Sequence, residues 1–97
     1  MILLDLYDLE KRLSLEDVRS LEGLTQDGEP ITILPGHAPL VCILQDTKPL
    51  KVVHSNGEQK TVTLESGSFL SVSPQEKSKQ ANQVSRVRVF SSALLVS

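Results

Sequence analysis

The sequence predicts an all-β fold, a sandwich or barrel, held in one domain over residues 1–97. Three observations predict it. Turn signals recur at short intervals, at Asp27-Gly28, Pro35-Gly36, Lys48-Pro49, Asn56-Gly57, Ser66-Gly67 and Ser73-Pro74; strands punctuated every ~8–12 residues belong to sandwiches and barrels. Apolar and polar residues alternate between several of these turns, the period of a half-buried strand. The core inventory is aliphatic: 16 Leu, 10 Val and 4 Ile against three aromatics, Tyr7, Phe69 and Phe90. A chain of this length supports a single core.

Taken in order, the first ambiguous stretch is 8–24. Leu9, Leu13, Val18, Leu21 and Leu24 recur at intervals of three to five, and Asp8 stands where a helix cap would. Periodicity leaves an amphipathic helix and strands equally open there. The clearest hairpin is 50–64. Leu50 to His54 and Gln59 to Leu64 flank Asn56-Gly57, a pair that supplies the two positive φ angles of a type I′ turn. His54, at the hairpin end, is expected to be exposed. Phe69, Leu70 and Val72 predict a further strand. So do Val87 and Val89, with Arg86 and Arg88 turned to water. Residues 74–85 are almost devoid of apolar side chains and read as an extended surface loop, a length that usually marks function or disorder.

The composition excludes several classes of function. Lys plus Arg is 10 against 12 Asp plus Glu, with no block of like charge, so the basic stripe of a nucleic-acid binder is missing. Three aromatics are too few for a base-stacking platform. The longest apolar run, Ala38 to Leu44, contains Pro39 and falls far short of the ~20 residues that span a bilayer. The N-terminus lacks the basic and long apolar regions of a signal peptide. The single cysteine, Cys42, rules out an internal disulfide and lies in an apolar run that marks it as an inert core thiol. His37, His54 and Cys42 show no metal-ligand spacing. No paired carboxylates, phosphate loop or nucleophile–base arrangement is present. The expectation is a protein that is not an enzyme and has no cofactor and no metal.

One segment is more specific. Asp27-Gly28-Glu29-Pro30-Ile31-Thr32, continuing into Ile33-Leu34-Pro35-Gly36-His37-Ala38-Pro39-Leu40, resembles the signature of the epsilon subunit of F-type ATP synthases, called delta in mitochondria. Its last eight positions match consecutively. Leu4-Asp5-Leu6 with Glu10-Lys11-Arg12-Leu13, Ser66-Gly67-Ser68-Phe69-Leu70-Ser71-Val72 and Val87-Arg88-Val89-Phe90-Ser91 are similar to further family segments in the same order. The resemblance covers the whole chain and implies the family's amino-terminal domain, a flattened β-sandwich of about ten short strands. It also implies strands, not a helix, between Asp8 and Leu24.

The resemblance further implies a non-catalytic rotor subunit of the proton-transporting ATP synthase. Such a subunit grips the gamma subunit, rests on the polar loops of the c-ring and reaches the alpha/beta head indirectly. It couples ion-driven rotation to ATP synthesis. Carried over by motif, the partner-binding residues are Asp27, Gly28 and Glu29 in one loop and Leu34, Pro35, Gly36, His37, Ala38, Pro39 and Leu40 in another. Asp8 is added in the turn after the first strand. Glu29 is the expected c-ring contact and His37 the expected gamma contact, with a competing hydrogen bond from the His37 ring to its own loop. The expected location is peripheral, at the cytoplasmic face of a bacterial plasma membrane or, second, at an organelle membrane. Four departures from the family pattern stand out. The chain ends at Ser97 with no C-terminal helical hairpin, segment 30–33 is one residue longer, Ser68 replaces a glycine, and the 74–85 loop is extended. They motivate the alternative, a free-standing β-sandwich adaptor derived from this fold.

Overall fold

The computed structural model describes residues 2–45, 48–65, 67–73, 76–77 and 83–97. Ten strands follow one another: β1 (Ile2–Tyr7), β2 (Arg12–Leu24), β3 (Pro30–Ile33), β4 (Leu40–Ile43), β5 (Leu50–His54), β6 (Gln59–Leu64), β7 (Phe69–Val72), β8 (Glu76–Lys77), β9 (Gln83–Phe90) and β10 (Leu94–Val96). They hydrogen-bond in the order β10-β6-β5-β2-β1-β9-β7-β4, with β3 added to β2 and β8 to β9. Every pairing is antiparallel except that of β1 with β9.

Strand β2 is the pivot. Its first half pairs with β1 and its second half with β5 and β3. Two irregularities separate the halves. Ile2 and Leu4 face Val18 and Leu15, so β2 carries an extra residue there. A second register shift lies between Val18 and Ser20 against β5. Within the first, Asp17 has φ +55°, the left-handed region that costs a side chain ~1 kcal/mol or more. Such bulges bend a strand and sharpen its twist. The bend folds one sheet into two layers: β2–β1–β9–β7–β4 on one side and β3–β2–β5–β6–β10 on the other.

One core fills the space between the layers. Ile2, Leu4 and Leu6 of β1, Leu15, Val18 and Leu21 of β2, Val87 and Val89 of β9, and Leu70 and Val72 of β7 are buried with Ile33, Leu44, Leu50, Val52, Val62 and Leu64. Gly23 is small because Leu50 lies over it; a Cβ there would meet Leu50 Cδ1 at 3.0 Å. A bridge between Thr25 and Leu44, with Gln26 N–H on the Ile43 carbonyl and Gln45 N–H on the Leu24 carbonyl (both 2.9 Å), ties the end of β4 to the end of β2.

The all-β class, the hairpin strands and the strand reading of 8–24 hold. Three expectations need correction. His54 is buried, 9% exposed; alternation from Leu50 through Val52 turns it inward, and its Nδ1 lies 3.0 Å from the Glu16 carbonyl oxygen. The 55–58 turn has one positive φ, at Gly57, and not two. His54 accepts from Gly57 N–H and donates to the Glu58 carbonyl, a longer loop that needs the left-handed angle only at its glycine. In the 74–85 loop, Glu76 and Lys77 pair with Val84 and Gln83, so the loop is partly a strand pair; residues 74–75 and 78–82 lie outside the described residues, as do Asp46, Thr47 and the Ser66 of the predicted turn.

Candidate interaction surface

Strand β4 joins the two loops singled out in the sequence. The 25–29 loop closes against its C-terminal end, where Gln26 N–H bonds Ile43. The loop is tied to itself by Thr25 N–H to the Glu29 carbonyl, Gly28 N–H to the Thr25 carbonyl and Glu29 N–H to Thr25 Oγ1. Gly28 has φ +82°, which a side chain rarely adopts. Asp27, Gly28 and Glu29 are exposed, their carboxylates beside an open groove with Val41, Cys42 and Ile43.

The 34–39 loop enters the opposite end of β4. His37 N–H bonds the Leu34 carbonyl at 3.1 Å and Gly36, at φ +83°, donates its N–H to Ser85 Oγ at 2.7 Å. Leu34, Pro35, Gly36, Ala38 and Pro39 are exposed, and His37 and Leu40 half-buried. The His37 Nδ1 lies 2.7 Å from the Ala38 carbonyl, so the competing loop hydrogen bond is made. Four strand residues at about 3.3 Å each separate the two loops, and between them Val41 and Ile43 are 70% and 50% exposed.

A second strip runs across the sheet from Ile43 and was missed in the sequence. The register places Ile43 opposite Phe69, Phe69 opposite Phe90 and Phe90 opposite Tyr7 on the outer face. The rings stack, with centroids 4.7 Å apart for Phe69 and Phe90 and 4.8 Å for Phe90 and Tyr7. Arg12 lies 5.9 Å over the far side of Tyr7. All three aromatics of the chain thus share one row. Phe90 is stacked between the other two rings, so the row offers mainly ring edges and apolar area. The signal for it was parity: each aromatic sits out of phase with the buried aliphatics of its own strand.

Asp8 closes the turn at the far end of this row. Its Oδ1 accepts from Glu10 and Lys11 N–H at 2.8 and 2.7 Å, which holds its carboxyl below the usual aspartate range. Leu9 beside it is 84% exposed. In the next row, opposite Ser14 and Arg88, Asp5 is 1% exposed, accepts from Ser14 Oγ at 2.7 Å and faces Arg86 Nη1 at 3.6 Å. Cys42 packs inward against the core, and burial pushes its thiol up. Among the described residues no group of three or more His, Cys, Asp or Glu side chains could hold a metal ion.

No family model matches the chain. In solved structures it is similar, at a TM-score of 0.74 and 20% identity, to a chain of the Euglena gracilis mitochondrial ATP synthase in a cryo-EM structure of OSCP/F1/c-ring in rotational state 1. The match covers 98% of this chain and 52% of that one, so the chain spans about half the length of its neighbour. The likeness shows a shared fold.

Proposed function

We propose that this chain is a non-catalytic, epsilon-type rotor subunit of a rotary ATP synthase. It binds the gamma subunit and the c-ring and couples ion-driven rotation to ATP synthesis. The observation that carries the reading is the agreement of fold with a chain of an ATP synthase assembly over 98% of this sequence. The Ile33–Leu40 signature supports it, being largely solvent-facing and not spent on the core.

Within this reading the strip along β4 and the row from Ile43 to Tyr7 form the gamma-facing surface, with Leu34, His37 and Leu40 at one end. Aromatic and aliphatic side chains at the centre of an interface carry most of its affinity. Asp27 and Glu29 border that strip and meet the polar c-ring loops, where a rim ion pair adds about 0–1 kcal/mol and sets register. The subunit sits peripherally on a membrane-bound complex, at the cytoplasmic face of a bacterial plasma membrane or at an organelle membrane.

Co-expression with the gamma subunit of the same organism, followed by size-exclusion chromatography, tests the reading. A stable equimolar complex is expected. No association, with the β-domain folded by circular dichroism, would favour the free-standing adaptor.

A further inference from the structure

Strands β2 and β10 present unpaired main chain to one groove. Asp8 N–H bonds the Lys11 carbonyl, so by antiparallel alternation Leu6–Leu13 and Leu4–Leu15 are hydrogen-bonded pairs while Tyr7–Arg12 and Asp5–Ser14 are not. The Tyr7 carbonyl accordingly points away, to Ser91 N–H at 3.0 Å. Arg12 and Ser14 likewise direct N–H and C=O away from β1. On β10, Ser97 and Thr61 exchange both bonds at 2.9 Å and Glu65 N–H bonds the Ala93 carbonyl. Leu94 and Val96 therefore direct their main chain away from β6. Among the described residues no strand pairs with either of these edges; β5 joins β2 only from Val18 onward.

Lys11, Arg12 and Leu13 line the same open groove as Leu94, Leu95 and Val96. Its apolar side chains are incompletely covered, Leu13 39% and Leu95 67% exposed. Its charged lining residues are Lys11 and Arg12, with no carboxylate among them. We infer that this groove takes an extended peptide segment as an added strand, one that alternates apolar residues with carboxylates. Main-chain bonds from both edges supply affinity, Leu13, Leu94 and Val96 take the apolar residues, and Lys11 and Arg12 select acidic over basic partners. The site is separate from the β4 strip and does not depend on the rotor reading.

The probe is an eight-residue peptide alternating glutamate and valine, compared with its lysine–valine counterpart, each titrated into the chain to millimolar concentration. Amide hydrogen exchange is read by NMR. The acidic peptide is expected to protect the amides of Arg12, Ser14, Leu94 and Val96, and the basic one to bind at least about fivefold more weakly. Val96→Pro removes one outward donor at an edge position where proline is tolerated and should weaken the acidic peptide. Arg12→Glu, which leaves the edge intact and Lys11 opposed by a carboxylate, should abolish the preference. Equal binding of both peptides to the unaltered chain, protection elsewhere on the surface, or none at millimolar concentration would overturn the inference.

Discussion

The ring of His54 reaches across from β5 to the Glu16 carbonyl, 3.0 Å from its Nδ1, at the residue before Asp17 turns through φ +55°. Ser55 N–H bonds the Asp17 carbonyl at 2.7 Å beside it. The bend that divides the sheet into layers is thus held by two bonds from the β5–β6 hairpin. Nε2 of His54 is buried with no partner, so a leucine there loses one bond yet removes an unsatisfied atom. His54→Ala should lower stability by about 2–3 kcal/mol, through the lost bond and the cavity, and His54→Leu by less. Chemical denaturation of both variants checks the order.

Asp17→Gly should raise stability by about 0.5–1 kcal/mol, because glycine adopts the left-handed angle without the side-chain penalty. The denaturation midpoint reads it; a loss would mean that the Asp17 side chain holds the bend.

Arg86→Met should be destabilising by about 2 kcal/mol or more, since it leaves the Asp5 carboxylate buried with Ser14 alone. Adding Asp5→Leu should recover part of that loss. A double-mutant cycle with no coupling would show that the 3.6 Å pair contributes nothing.

Asp8 predicts a pH dependence of known sign. Its carboxyl is depressed by the N–H groups of Glu10 and Lys11, so its contribution is complete above the ordinary aspartate range and is lost as pH falls through the lowered value. The stability gap between the wild type and Asp8→Ala should stay constant from neutral to mildly acidic pH and close in strong acid. A gap that instead widened on acidification would contradict the assignment.

Phe69→Ser and Ile43→Ser test the gamma-facing surface. Both residues are substantially exposed, 39% and 50%, so the free domain should lose about 1 kcal/mol or less while gamma affinity falls at least about tenfold. Unchanged affinity would remove the aromatic row from the interface.

Much of the fold was readable where strands are regular. From Phe69 to Val72 and from Arg86 to Phe90 the alternation of the sequence is the alternation of burial. Region 8–24 was not readable by period, and the bulges are the reason. Leu15, Val18 and Leu21 all face the core at spacings of three, because each register shift inserts a residue and resets the phase of β2. A bent strand then carries the spacing of a helix. His54 escaped because a polar residue beside a turn looks exposed until the bend that receives it is seen. The two signature loops were found by their residues, but their common strand was not, since their placement at the two ends of β4 depends on pairings with β2, β7 and β9.

The parallel pairing of β1 with β9 has a consequence for how the chain is made. Ile2 lies opposite Ser85 and Tyr7 opposite Phe90, so one flank of β1 stays empty until residues 85–90 have left the ribosome. The β1–β2 hairpin can form early, but the layer containing β1 cannot close around it. Contacts between such distant parts of a chain carry a large loop-closure cost and place folding in the slower, millisecond-to-second range typical of β domains. Until then Leu4 and Leu6 are held by a single neighbour, and the interval before strand 83–90 emerges is when the nascent chain is most open to chaperones and to misassembly.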